Sequence, residues 1–264
     1  MNTQLHDPSL VCKPPRVGLW TSKKKLLGFG SGGIALAGIV ALALGSKTPA
    51  PSSTAPTMTS VAAHHRPPTT FAELCALTPE ALEKCDLARI NLLCAEGLPG
   101  SESMNLTQDL KTLDFWTECV RGQIEKNLHH FVEAPEKYRH SEAYFRMAMM
   151  VTVLKQDLKV HYDEARSNDE PNATFFADAS CSHLNGLLGP RHAGTCASIP
   201  VLIVAVSQRL GYPVKLVTAR AHFFARWEND RERLNIEASN NGGMVAHPDE
   251  YYRTWPKPDR KSVV

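Results

Sequence analysis

The feature that most restricts this chain is an apolar run held between two punctuation marks. Over 198–210 the residues Ile199, Val201, Leu202, Ile203, Val204, Ala205, Val206 and Leu210 are apolar, and only Gln208 and Arg209 are strongly polar. A helix that is apolar nearly all round has to be enclosed by other elements. Pro200 suits the first turn, where no amide partner is needed, and Gly211 is the expected stop. Cys196 then lies at or just before the helix start, with Thr195 or Ser198 as the cap. The unpaired amides and the positive dipole end at such a position favour a thiolate. Gly194 is expected to let the backbone approach a substrate closely.

Strands follow the helix. Residues 213–218 read as a buried strand, and 221–227 and 232–238 alternate around Asn229-Asp230, which can turn. If those two residues form a two-residue hairpin loop, Phe223 falls opposite Ile236, Ala225 opposite Leu234 and Ala221 opposite Ala238, which makes one apolar face. On the other face the same register sets Glu228 against Arg231 and His222 against Glu237. Directly paired residues on one face have Cβ atoms about 4.5–5.5 Å apart, within hydrogen-bond reach for an imidazole and a carboxylate. A longer loop that includes Arg231 would instead move the partner of His222 to Ala238.

A thiol nucleophile acts as a thiolate, which an adjacent imidazole supports as an ion pair. A carboxylate on the other ring nitrogen fixes the tautomer and orientation of the ring. The candidate catalytic residues are therefore Cys196 as nucleophile, His222 as base and Glu237 as the orienting acid. Each residue taken alone reads as structural; the order helix start, strand and neighbouring strand is what joins them. The expected chemistry is acyl transfer on a protein or peptide amide. The Cys196 amide is the first oxyanion donor, and His183 and Asn185 are side-chain candidates. Two readings compete: a membrane-tethered binding module in which the three residues only pack, and a zinc hydrolase built on His and Cys.

The stretches GTCASIPVLIVAVSQRLGYPVKLV, AHFFARW and LNIEAS with NNGG resemble the bacterial transglutaminase-like superfamily, and the branch with SirB-type cores in particular. The helical stretches INLLCAEGLPG and SEAYFRMAMMVTVLKQD resemble the region that precedes that core, so the resemblance covers roughly 87–256. It implies an α+β fold with a papain-like core, a helix bearing the cysteine packed on a small antiparallel sheet, and a Cys-His-acid triad at Cys196, His222 and Glu237. The chain departs from the pattern in three places. Its acid is Glu where many relatives have Asp, His192-Ala193 separates Arg191 from Gly194, and the preceding loop carries Cys181.

The N-terminal part is of another kind. Residues 1–25 are polar and end in Lys23-Lys24-Lys25; residues 26–44 then carry no charge, enough to span a bilayer. The lysines place residues 1–25 in the cytoplasm, 26–45 as a transmembrane anchor, 46–70 as a Pro/Ser/Thr-rich linker, and 71–264 as an extracytoplasmic, periplasmic or cell-surface domain. A cleaved signal with a long n-region, giving a secreted protein, is the alternative. The formal net charge of +2 gives no argument for nucleic acid as a partner. No acidic loop has calcium-ligand spacing and no CxxC pair is present, so no metal and no cofactor is expected.

Helices are expected over about 78–96, begun by Thr78-Pro79-Glu80, over about 106–131, from Ser141 to about 158, and as a short segment after Pro248. Residues 161–179 read as a polar loop. The chain has 7 cysteines. Cys85 and Cys94 share the first helix in this reading, too far apart along it for a disulfide, which leaves pairings of either with Cys75 or Cys119 open.

Overall fold

The helical half is a set of short capped segments, and the caps decide where each one begins. The computed structural model of the chain describes residues 66–166, 177–240 and 242–254, and all of these but Arg66 fall in one compact unit. α1 (Phe71–Cys75), α2 (Pro79–Glu83) and α3 (Leu87–Ala95) are capped by the side chains of Thr70, Thr78 and Asp86. Asp86 Oδ1 accepts from the Ala88 amide at 3.0 Å, and this cap splits the single helix expected over 78–96. Cys85 precedes the break, so Cys85 and Cys94 do not share a helix after all.

α4 (Leu106–Glu133) starts at Asn105 and buries Leu110, Leu113, Trp116, Val120 and Ile124 on one face, at the spacings read from the sequence. α5 (Glu142–Thr152), capped by Ser141, runs on into a π-helical turn at Val153–Asp157. The stretch expected as a loop contains β1 (His161–Tyr162) and a 3-10 turn at Glu164–Arg166. α6 (Ala179–Ser182), α7 (Leu184–Leu188) and β2 (Ala193–Gly194) follow, and β1 pairs with β2 in parallel.

α8 (Ile199–Arg209) is the centre. Every residue from Ile199 to Ser207 is buried, against α3, α4 and α7 and against the sheet that follows. Each fully buried Val, Leu or Ile side chain contributes about 1.5–3 kcal/mol. Gly211 takes φ 73° beyond the C-cap Leu210, as a helix stop requires. Arg209 closes this end: its guanidinium forks onto both oxygens of Asp86 (3.1 and 2.6 Å) and reaches Asp114 at 2.7 Å, tying α8 to α3 and α4.

β3 (Val214–Ala219), β4 (His222–Glu228) and β5 (Arg233–Ile236) form an antiparallel sheet in that order, and α9 (Asp249–Arg253) completes the unit. Ala225, Trp227 and Ile236 join the core around α8, while Phe224, on the other face of β4, stacks on Tyr252 of α9 at 3.8 Å. The result is an α+β fold of helices with a small antiparallel sheet and a smaller parallel one.

The hairpin register differs from the expected one. Ala225 pairs with Ile236, Arg226 with Asn235, Trp227 with Leu234 and Glu228 with Arg233. The loop therefore spans 229–232, not Asn229-Asp230 alone, because Asn229 Oδ1 accepts from the Arg231 and Glu232 amides at 3.0 and 2.9 Å. Glu228 accordingly meets Arg233, at 2.5 Å, rather than Arg231. Ala221 lies in the β3–β4 turn with φ 55°, not in the apolar face, and Phe223 is 36% exposed. The slide amounts to two residues, and strand side chains alternate with period two, so every residue keeps its face. The expected cytoplasmic segment, apolar span and most of the linker lie outside the described residues. Among the described residues no helix is long and apolar enough to cross a membrane.

Candidate active site

Cys196 sits in the turn between β2 and α8, half-buried and with a free thiol. The turn is pinned from beneath by two fully buried side chains. Thr195 Oγ1 donates to the Cys181 carbonyl at 2.8 Å and accepts from the Ala197 amide at 3.2 Å. Ser198 Oγ accepts from the Thr195 amide at 3.0 Å and donates to the same Cys181 carbonyl at 3.3 Å. Thr195 and Ser198, read from the sequence as alternative caps, act together as a clamp on the turn. Ser198 is the N-cap by position, with its hydroxyl turned to the clamp rather than to the first turn of α8. The Cys196 amide has no hydrogen-bond partner among the described residues.

Packing alone requires a glycine at position 194. A Cβ there would lie 2.5 Å from Ser198 Oγ and 2.7 Å from Leu187 Cδ2, both in the interior. His192, at the extra dipeptide, takes φ 50° and sets its ring edge-on to Trp116 at 5.4 Å, while its carbonyl accepts from the His161 amide.

His222 opens β4, and Glu237 follows β5 in an isolated bridge whose two backbone hydrogen bonds join it to Val245 at 2.8 and 2.9 Å. The two side chains meet at 2.5 Å, His222 Nε2 to Glu237 Oε2, with only 8% and 12% of them exposed. The contact runs diagonally across the strand pair because of the slid register, yet it forms, since both residues stayed on one face. Glu237 Oε1 accepts from the Ser239 amide at 2.8 Å, which leaves its other oxygen for the ring. The Cys196 thiol lies close enough to the imidazole to act on its protonation.

Burial disfavours the charged ring, but the hydrogen bonds to Cys196 and Glu237 and their charges outweigh it and raise the His222 pKa to about 9. Burial also disfavours the Glu237 carboxylate; the hydrogen bond and charge of His222, with the Ser239 amide, outweigh that and hold its pKa below the usual value. The two shifts agree: the pair is most stable as imidazolium and carboxylate.

Tyr252 lies stacked 6.2 Å from the His222 ring, so α9 covers the base from one side. Lys155, on the π-helical turn, reaches the loop after Glu237: its ammonium donates to the carbonyls of Asn240 and Gly242. Burial lowers its pKa, and the charge of Glu237 opposes that fall. The sequence offered one signal for it, a charge directly after the mostly apolar run that ends α5 and opens the π-helical turn. A cleft of about 520 Å³ lies beside this loop, lined by Lys155, Val160, Tyr162, Glu164 and Gly242 among others. Tyr162 is in register with Gly194, two residues from Cys196.

Each of the two side chains proposed from sequence as oxyanion donors has other partners. Asn185 Nδ2 donates to the Gly100 carbonyl at 2.9 Å, and His183 Nδ1 faces the Ala179 carbonyl and Ser182 Oγ at 3.2 and 3.0 Å. No group of three or more His, Cys, Asp or Glu among the described residues is placed to hold a metal ion. Comparisons with protein-family models, curated proteins and solved structures give no match.

Proposed function

We propose that the chain is a thiol-dependent acyl-transfer enzyme acting on protein or peptide amides, with a papain-like core of the transglutaminase-like kind. The single observation that carries this reading is the buried His222–Glu237 contact at 2.5 Å with the free Cys196 thiol on the same ring. A cysteine at a helix start, an imidazole beside it and a carboxylate behind the imidazole are the parts needed for a thiolate nucleophile and a proton shuttle.

In this mechanism the Cys196 sulfur attacks the amide carbonyl carbon and forms a tetrahedral oxyanion, to which the unpartnered Cys196 amide donates. His222 gives its proton to the departing nitrogen; the C–N bond breaks and a thioester remains on Cys196. Water or an amine then attacks the thioester, its proton passes to His222, and the thiolate leaves. Glu237 orients the ring and stabilises its cation throughout. The cleft beside Lys155 and Tyr162 offers room for the chain that carries the scissile amide.

The test is labelling of the full chain with an electrophilic peptide amide probe, followed by peptide mapping. Cys196 is expected to carry the label, and Glu237→Gln to slow labelling by roughly tenfold or more, because an amide orients the imidazole but stabilises its cation less. Labelling spread over Cys75, Cys85 and Cys94 with Cys196 untouched would sink the proposal.

A further inference from the structure

Three thiols of the helical region are reachable from solvent in the described structure: Cys75 and Cys94 are exposed and Cys85 is half-buried, whereas Cys119 and Cys181 are in the interior. Cys75 is the last residue of α1 and Cys94 the last but one of α3. The two helices pack together, with Cα atoms approaching to within 8 Å. The packing is held at two points. The Phe71 amide donates to Glu96 Oε2 at 2.7 Å, and Arg89 Nη1 donates to the Pro68 carbonyl at 3.0 Å. Leu74, next to Cys75, is buried. α1 is thus laid on α3, and the cysteines near the C-terminal ends of the two helices are both exposed.

We infer that Cys75 and Cys94 are a disulfide-forming pair, a covalent staple that fastens α1 to α3. The inference stands apart from the proposed acyl transfer. It uses neither Cys196 nor the cleft. The electrostatics agree with the geometry: the Cys94 pKa is raised by burial and further by the proximity of Cys75. Cys85 differs, because its charged neighbours are Asp86 and Arg89 and not another thiol.

The step is thiol–disulfide exchange with a small-molecule or protein disulfide as oxidant. One thiolate of the pair attacks a sulfur of that disulfide and expels a thiolate; the second thiolate then attacks the mixed disulfide, forms the Cys75–Cys94 bond and expels the other. Both cysteines give up their protons to solvent, the pair loses two electrons, and the oxidant leaves as two thiols. The bond would close the segment that holds α2. It would also fix the start of the domain to α3, which Asp86 ties to Arg209 of α8 and Asn91 ties to the Leu184 amide of α7.

Trypsin separates the three thiols, since Cys75 lies in peptide 48–84, Cys85 in 85–89 and Cys94 in 90–111. The full chain, held in detergent, is equilibrated with oxidised glutathione, alkylated and digested without reductant. The expected product is peptide 48–84 linked to 90–111, two mass units below the sum of the two reduced peptides, and its yield rises with the fraction of oxidised glutathione. Oxidation should also raise the melting temperature by a few degrees, because the cross-link restricts the unfolded chain. Cys85→Ser should keep the link; Cys75→Ser and Cys94→Ser should each abolish it and the melting shift together. The inference is overturned if both cysteines stay alkylatable at full oxidation. It is equally overturned if the linked peptide joins 85–89 to either neighbour.

Discussion

The two sides of the candidate site are held by different physics. On the cysteine side, the turn before α8 rests on neutral hydrogen bonds from Thr195 and Ser198 to one buried carbonyl, over a helix that is apolar on all sides. On the base side, His222 and Glu237 sit at strand ends and are held by charge: the ring–carboxylate contact, the Ser239 amide, and the Lys155 ammonium on the loop that follows. The difference teaches that the nucleophile is positioned by packing, which pH leaves alone, and the base by ionisation, which pH can undo. The proposed chemistry needs both, a fixed sulfur and a ring free to gain and lose a proton.

The sharpest way to break this contrast is His222→Ala. It removes the ionic side and leaves the clamp. Alkylation of Cys196 by iodoacetamide at mildly acidic pH should fall on the order of 10²-fold, with the melting temperature changed little by comparison. An unchanged labelling rate would show that the ring does nothing for the thiol. Ser198→Ala attacks the other side. It orphans the buried Thr195 amide and should cost about 1–3 kcal/mol in urea unfolding, with the cost independent of pH.

The pH dependence sharpens the contrast further. The His222 pKa is raised from 6.5 to about 9 on folding, so its contribution to stability is full below 6.5 and is lost as pH rises through about 9. The Glu237 pKa is lowered from 4.5, so its contribution is full above 4.5 and is lost as pH falls through the lowered value. The stability advantage of the parent chain over His222→Gln should therefore shrink between 6.5 and 9 in urea unfolding. A gap that stays constant over that window would mean that the pair is neutral. The smallest effect is expected from Lys155→Met, which frees the carbonyls of Asn240 and Gly242 but keeps most of the apolar stem. Protease cleavage within 239–243 should accelerate a few-fold, and Cys196 labelling should change by less than His222→Ala changes it.

Much of this site was legible in the chain because it is written locally. The α8 run, Pro200 at its start and Gly211 at its end sit within a few turns of one another, and each acts through its own backbone. The parity of His222 and Glu237 was legible for a similar reason: alternation fixes the face of a strand residue whatever its partner. The hairpin register was not, although its cause is short-range. Asn229 turned its side chain onto two following amides and lengthened the loop, while apolar pairing fitted either register, with Ala225 able to face Leu234 or Ile236. Asp86 is likewise one polar residue within the helix expected over 78–96, and only its carboxylate on the Ala88 amide marks it as the cap of the next helix.

By itself, then, the sequence determined a buried helix with a cysteine at its head, and a histidine and a glutamate on one face of a following strand pair. Only the tertiary structure decided that the three meet. It brought Cys181 under Thr195 and Ser198, Lys155 across to the loop beyond Glu237, and α1 against α3. Periodicity, caps and turn residues act over a few positions and leave their mark there. A hydrogen bond such as Lys155 to Gly242 joins residues 87 apart, and its partner is chosen by how whole elements pack, which no local pattern records.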